Sequence, residues 1–386
     1  MARRVLVLGG GVGGVVAARR LSQVLSKKGE YEVILVSAES YFDFKPLYVD
    51  VALHYGRVDE LRVPLKGLEK YKVRVIIDRV KRVDPANRLV VAEGSSYEYD
   101  YLVISLGVRY GWEEYPGLER AGYHNYTLEG AIELAEAISR FKRSRLLVLV
   151  PEVPHRCGIY PYEIATQLAQ NYRKLGRDIR VTLMVPKSRM FQRFGPDVER
   201  AWMRMLEETG VEYVLHSGLE EVDPEKRVVR AGNVEERYDL LIKIPPSRLP
   251  EPLAVSEGFQ CKDDPRWSPV RPRTFQHPKY DDVFLVGEHS MPSAGLPSAG
   301  APVHYAANLA SEVILNDIIG GYPVLGYYKT VYCVTYYGVG GLAMGAEVFY
   351  DEETGKWDFT GYTITSAPMA RLLKEAYYRG FVRSLA

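Results

Sequence analysis

Near the start of the chain an apolar run, Val5–Leu8, ends in Gly9-Gly10-Gly11-Val12-Gly13-Gly14 and passes into an Ala-, Leu- and Arg-rich stretch that reads as helix to about Lys27. Strand, glycine turn and helix in that order leave few folds open. Gly9, Gly11 and Gly14 stand at the spacing that makes a tight turn, lets backbone approach a pyrophosphate and packs helix on strand. The phosphate would sit at the positive helix end. Such a triplet alone is weak, but a second apolar strand, Tyr31–Ser37, follows and supplies the βαβ context the motif requires. The acid that holds a ribose should close that strand. Here the segment reads Ser37-Ala38-Glu39, so Glu39, two places late and beside Ser37, is the candidate, with a solvated surface acid as the alternative.

Two later segments extend this site. Tyr99 to Gly107 reads as a buried strand ending at a small-residue turn, Ser105-Leu106-Gly107, and resembles in altered form the Ala-Thr-Gly signature of two-domain flavoproteins. Asp282 to Val286 is another strand feeding Gly287-Glu288, before Pro292 to Gly300 and an apolar helix from about Pro302 to Leu315. In those flavoproteins the acid after the glycine binds the ribityl chain, a role that falls to Glu288. The expected FAD contacts are therefore Gly9, Gly11, Gly14, Ser37, Glu39, Leu106, Gly107, Gly287, Glu288 and Gly300. Their order along the chain points to FAD as the tightly held cofactor.

Between these segments Arg145–Val150, Ile179–Val185 and Val211–Leu215 read as strands, and Tyr160–Leu175 and Asp197–Thr209 as helices, a second βαβαβ unit inserted in the first. Its first turn lacks glycine fingerprints and reads Val150-Pro151-Glu152-Val153-Pro154-His155-Arg156-Cys157-Gly158. Proline removes backbone donors and Glu152 brings negative charge to the place of a pyrophosphate, which disfavours NADH. Cys157 stands just before a helix starting near Pro161. His155, Arg156 and the helix end are expected to lower its pKa and favour thiolate. Cys333, in the aromatic strand Tyr327–Val334, reads on its own as a buried inert cysteine, and Cys261, in a charged loop, as incidental.

The 50 basic and 49 acidic residues give no bias toward nucleic acid, and three scattered cysteines exclude a disulfide scaffold and a zinc module, so no metal is expected. Heavy use of tyrosine, 29 residues, hints at a thermophile. The N-terminus shows no signal-peptide pattern, and no run reaches the ~20 apolar residues of a membrane span. A cytoplasmic protein, peripheral on a membrane at most, is expected.

The glycine-rich start, Tyr41-Phe42-Asp43-Phe44-Lys45-Pro46, Val58-Asp59-Glu60-Leu61, the Cys157 turn with Glu163 six residues on, Gly287-Glu288 and Tyr328–Cys333 together resemble archaeal sulfide:quinone oxidoreductases, nearly end to end. The resemblance implies that Cys157 and Cys333 form a sulfide-oxidising redox centre beside the flavin and that Glu163 manages protons. Hydrosulfide would attack a Cys157–Cys333 bridge to give a persulfide and a thiolate, and two electrons would pass to FAD. A third family cysteine, often attached to the flavin, has no match: Tyr126 stands at or near its place, which implies noncovalent FAD. A surface helix acid is the alternative for Glu163. Two other readings stay open: a type II NADH:quinone oxidoreductase, and a sulfur-carrier or redox-sensing flavoprotein without quinone turnover.

The tail carries apolar or small residues at Met369, Leu372, Leu373, Ala376, Tyr377, Gly380, Phe381 and Leu385, close to helical spacing, with Arg371, Lys374, Arg379 and Arg383 largely on the other side. Such a helix can lie in a membrane interface, cap the core, or pair with a second subunit in a homo-oligomer. The resemblance favours the membrane, and places a quinone near Lys374, Tyr377 and Phe381. The expected architecture is α/β: an FAD-binding Rossmann-like domain from residues 1–110 and 265–320, a second Rossmann-like domain over 111–264 with a degenerate nucleotide motif, and a C-terminal membrane-interaction segment over 321–386.

Overall fold

The computed structural model describes residues 3–54, 56, 58–187, 194–322, 324, 327–337, 340–364 and 367–385. The chain opens with strand β1 (Arg3–Leu8), helix α1 (Val12–Leu25) and strand β2 (Tyr31–Ser37). A short helix α2 (Tyr48–Ala52) and strands β3 (Val73–Ile77) and β4 (Tyr101–Ile104) follow. Next come β5 (Arg145–Leu149), α3 (Tyr160–Lys174), β6 (Arg180–Pro186), α4 (Pro196–Thr209), β7 (Glu212–His216) and β8 (Leu240–Lys243). Strand β9 (Val283–Leu285) and helix α5 (Gly300–Ile319) lead to the hairpin strands β10 (Tyr327–Tyr337), β11 (Gly340–Asp351) and β12 (Lys356–Ile364), and helix α6 (Ala367–Leu385) ends the chain.

The first sheet runs β9-β4-β1-β2-β3, all parallel, with Val5 opposite Val33 on one side and Tyr101 on the other. Val5, Leu6, Val7 and Leu8 are fully buried. A strand covered on both faces has no solvent side to leave polar, so continuous rather than alternating apolar residues build it. Helices α1 and α5 pack on each other against this sheet. The second sheet, β7-β6-β5-β8, is likewise parallel, and its residues lie between β4 and β9 in the chain. The two sheets are the two nucleotide-type folds expected from the strand–turn–helix pattern.

The third sheet is antiparallel, β10-β11-β12, with a register shift between Val331 and Cys333 and Cys333 opposite Met344. Strand β10 packs on α3, and α6 packs on β10 and β11. The strand that carries Cys333 therefore lies against the helix that Cys157 precedes. Among the described residues no helix is long and apolar enough to cross a membrane.

Candidate functional site

The β1–α1 turn fits a dinucleotide pyrophosphate. Gly9 has φ +98° and a Cβ there would meet the Ser105 carbonyl at 2.3 Å, while a Cβ on Gly14 would lie 1.8 Å from the Gly9 carbonyl. Both glycines are therefore demanded by the turn itself. Gly11 differs: nothing lies within 4 Å of its ideal Cβ, and it starts α1 without a side-chain cap or an acid in the first turn. A helix start that leaves its amides without a side-chain cap and its approach clear suits an anion such as a phosphate. Ser37 is buried at the end of β2 and its hydroxyl donates to the Glu39 carbonyl at 2.8 Å, which shapes the turn that presents Glu39. The Glu39 carboxylate is exposed, 3.6 Å from Arg79. Gly107, with φ +71°, and Gly300, at the first residue of α5, also have open space where a side chain would stand.

Glu288, Arg156, Tyr110 and Lys45 form one cluster at this cleft. Arg156 Nε lies 3.1 Å from Glu288 Oε1, and its Nη1 donates to the Tyr110 hydroxyl at 2.5 Å. Burial opposes the arginine's charge, but Glu288 and Tyr110 hold its pKa above the ordinary value. The neighbouring Arg156 brings the Lys45 pKa down to about 8. A buried-lined cleft that carries two cations and one anion is suited to a ligand with net negative charge.

Cys157 stands in the turn before α3 with φ +53° and is half-buried. The structure overturns the expectation of a ready thiolate: burial first, and the Glu163 carboxyl second, push its thiol up to about 11. The reasons are local. His155 is buried, its pKa lowered to about 4 by burial, so it brings no charge. Arg156 is spent on Glu288. The helix amides are spent too: Tyr162 and Glu163 N–H both donate to the Ile159 carbonyl, Pro161 has none, and Cys157's own N–H donates to the Ser298 carbonyl at 2.8 Å. Only the Tyr160 N–H bears on the sulfur, and it is shared with the Cys157 carbonyl at 3.0 Å. Cys333 lies in β10 by its backbone; its side chain is outside the described residues, as is that of Tyr377. Cys261 is half-buried against the Ser293 hydroxyl at 3.3 Å.

Glu163 is not the surface acid of the alternative reading. It is buried on α3 and its Oε1 lies 3.0 Å from Lys374 Nζ, which also stands 3.1 Å from Asp50 Oδ2. Burial raises the Glu163 pKa, Lys374 works against that rise, and Asp50 adds to it. Lys374 is correspondingly misplaced in the expected helix pattern. The inner face of α6 is Ala370, Lys374, Tyr378 and Phe381, all buried, while Met369, Leu372, Ala376 and Gly380 face out. The lysine turns inward because two carboxylates from distant segments meet it there. Phe381 packs on Phe42 and Phe44 with ring centroids 5.3 and 5.6 Å away, and Tyr378 on Phe44 at 5.5 Å.

In the degenerate turn Glu152 does not stand bare as the sequence suggested. Arg248 reaches its two oxygens at 2.5 and 3.0 Å, Arg266 Nη1 lies at 3.2 Å, and the Tyr115 hydroxyl donates to it at 2.9 Å. Burial alone would raise its pKa, but these donors hold it below the usual carboxylate range. Tyr126 is buried with its hydroxyl donating to the Arg156 carbonyl at 3.1 Å. A separate hollow of about 600 Å³, lined by Lys142, Arg143, Arg145, Arg177 and Asp239 among others, opens where the strands of the second sheet begin, away from the candidate residues. Ligands of open parallel sheets commonly bind at the other end, where the β1–α1 turn and Glu288 stand.

Sequence reasoning missed Asp50, the Arg156–Glu288 pair and any role for Tyr110. Asp50 had a signal: it is the one charge in Tyr48-Val49-Asp50-Val51-Ala52, a short segment whose other members are apolar.

Residues 3–288 match the family model described as pyridine nucleotide-disulphide oxidoreductase. A sulfide-quinone reductase of Aquifex aeolicus is 26% identical over 338 residues, covering 82% of this chain and 77% of that protein. The solved sulfide:quinone oxidoreductase of the same bacterium superposes with a TM-score of 0.83 at 22% identity, covering 100% of this chain and 91% of the other. The fold is shared as well with a Plasmodium falciparum NDH2 solved with NADH, with a TM-score of 0.72 at 11% identity over 99% of this chain and 95% of that one.

Proposed function

The chain belongs to the pyridine nucleotide-disulphide oxidoreductase family, and from that premise we propose that it takes electrons from hydrosulfide at a Cys157–Cys333 centre and delivers them through FAD to a membrane quinone. The observation that carries this reading is the first turn of the second sheet. Where an NADH pyrophosphate would need free amides, Glu152 is clamped between Arg248 and Arg266, and the same turn presents a cysteine. The Aquifex relative, named a sulfide-quinone reductase, supports the choice of donor.

FAD would be held noncovalently, with Gly9, Gly11 and Gly14 at its pyrophosphate, Glu39 and Ser37 at its ribose, and Leu106, Gly107, Gly287, Glu288 and Gly300 at its ribityl and ring portion. Tyr126, whose hydroxyl donates to the Arg156 carbonyl, stands at or near the place of the family cysteine often attached to the flavin. When bound, FAD accepts the electron pair from the cysteines and gives it up to quinone. A raised pKa makes the Cys157 sulfur a poorer leaving group than an ordinary thiol. That favours attack of hydrosulfide on the Cys157 sulfur: the bridge opens, Cys157 keeps a persulfide and Cys333 leaves as the thiolate. Glu163, raised by burial and paired with Lys374, takes the proton that the persulfide gives up.

Quinone approaches along α6, near Lys374, Tyr377 and Phe381. Met369 and Leu372 stand 45% and 62% exposed on the outer stripe of that helix, with exposed Ala376 and Gly380 continuing it. An apolar outer stripe on a helix fixed by its inner face suits shallow insertion into a membrane surface. The test is anaerobic addition of sulfide to the flavin-loaded protein, followed by a soluble quinone, in wild type and Cys333→Ser. Rapid flavin bleaching that quinone reverses, lost in the variant, is the expected result. Bleaching by NADH and not by sulfide would overturn the reading.

A further inference from the structure

Tyr160 is 93% buried at the first position of α3, since its relative exposure is 7%, and among the described residues its hydroxyl finds no hydrogen-bond partner. Two tyrosines near it have engaged hydroxyls. The Tyr126 ring stands edge-on to it at 5.4 Å, with the Tyr126 hydroxyl on the Arg156 carbonyl, and the Tyr162 hydroxyl pairs with that of Tyr213 at 3.2 Å. Leaving a buried hydroxyl unpaired costs free energy that phenylalanine would avoid. Such a group needs a reason, and the reason lies three residues away. Tyr160 closes the turn that holds Cys157, its N–H donating to the Cys157 carbonyl at 3.0 Å, and its hydroxyl is within electrostatic reach of both Cys157 and Glu163.

The sulfur, for its part, is short of donors. Of the charged and titratable groups that face it, Glu163 and Glu288 oppose ionisation, Arg156 favours it but is paired with Glu288, and the Tyr126 hydroxyl donates to the Arg156 carbonyl. Burial raises the Tyr160 pKa well above its ordinary value, which keeps the hydroxyl a donor.

We propose that the Tyr160 hydroxyl is the donor that receives the Cys157 sulfur when it becomes an anion, which makes Tyr160 a positioning residue for the sulfur chemistry. This deepens the reading above and borrows from it only the choice of Cys157 as the reacting sulfur. The donor is idle while the sulfur is a thiol or bridged, and engages when charge appears there, so it stabilises the ionised form over the resting one.

The test is the Cys157 ¹³Cβ chemical shift in reduced, FAD-loaded protein carrying labelled cysteine, titrated through the alkaline range in wild type, Tyr160→Phe and Tyr126→Phe. Loss of one hydrogen bond to a charged sulfur should raise the Cys157 midpoint in Tyr160→Phe by about one unit, a roughly tenfold fall in the thiolate fraction at fixed pH. Thermal stability should hold or rise, because no bond of the resting fold is removed. Tyr126→Phe should do the opposite, losing stability with the Cys157 midpoint unmoved. Equal midpoints in wild type and Tyr160→Phe would overturn the proposal, and so would a clear drop in the melting temperature of Tyr160→Phe. None of these readouts uses sulfide or quinone, so a failure of sulfide to bleach the flavin would remove the donor assignment and leave this result standing.

Discussion

Replacing Lys374 by methionine tests the buried charge cluster most directly. Lys374 Nζ is 3.0 Å from Glu163 and 3.1 Å from Asp50, with side-chain exposures of 10%, 10% and 7%. One cation thus serves two carboxylates, and removing it leaves both buried without it. Breaking a buried pair by deleting one partner costs about 3–5 kcal/mol. At the usual entropy of unfolding for a chain of 386 residues this lowers the melting temperature by about 4–6 °C. The pH dependence has a definite sign. Burial raises the Glu163 pKa, so the folded chain holds that proton more tightly than the unfolded one. Stability from this group is full below the ordinary glutamate range and is lost as pH rises through the raised value. Without the lysine that value climbs further. The Lys374→Met deficit should therefore be small in acid and grow toward alkaline pH, and the added changes Glu163→Gln and Asp50→Asn should recover most of it. Thermal unfolding followed by circular dichroism at several pH values reads all of this. A variant that melts with wild type at neutral pH, or whose deficit stays constant with pH, would refute the reasoning.

Three further outcomes are expected. Gly14→Ala should prevent a normal fold, since its Cβ would lie 1.8 Å from the Gly9 carbonyl, whereas Gly11→Ala, with open space, should keep the apoprotein's melting temperature and weaken FAD binding, as flavin fluorescence titration will show; equal FAD affinity would exclude Gly11 from the pyrophosphate site. Glu152→Gln should destabilise by about 1–3 kcal/mol near neutral pH, and because its pKa is depressed the difference from wild type should vanish as pH falls through the carboxylate range; a difference that persists in acid would count against the ion-pair account. Met369→Glu with Leu372→Glu should abolish cosedimentation with anionic vesicles at unchanged melting temperature, and undiminished binding would rule out the outer stripe of α6 as the membrane contact.

Much of this architecture was legible in local pattern. Val5–Leu8, Tyr31–Ser37 and Arg145–Leu149 are fully apolar or nearly so because parallel strands are covered on both faces, and Gly9 and Gly14 announce a turn that no other residue fits. Chemistry that depends on distant partners was less visible. His155 and Arg156 beside Cys157 suggest an activated thiol, yet burial keeps the histidine neutral and Glu288, far along the chain, claims the arginine. Lys374 falls with the other cations of the tail on a helical projection, because the projection cannot show that Asp50 and Glu163 wait on the inner side. Tyr160 gave no signal at all, since an unpaired hydroxyl is visible only once every neighbouring donor and acceptor has been placed.

The cluster of Asp50, Glu163 and Lys374 also has a consequence in time. Glu163 and Lys374 are 211 residues apart, so at ordinary translation speeds of about 5–20 residues per second the acid leaves the ribosome roughly 10–40 s before its counterion. During that interval the two nucleotide-type folds assemble without the cation that meets both carboxylates in the finished chain. The last turns of the chain then act as the closing stitch of synthesis: a product truncated before residue 374 would carry the cleft, the glycine turns and Cys157, and still be marked as unfinished by two acids with no base between them.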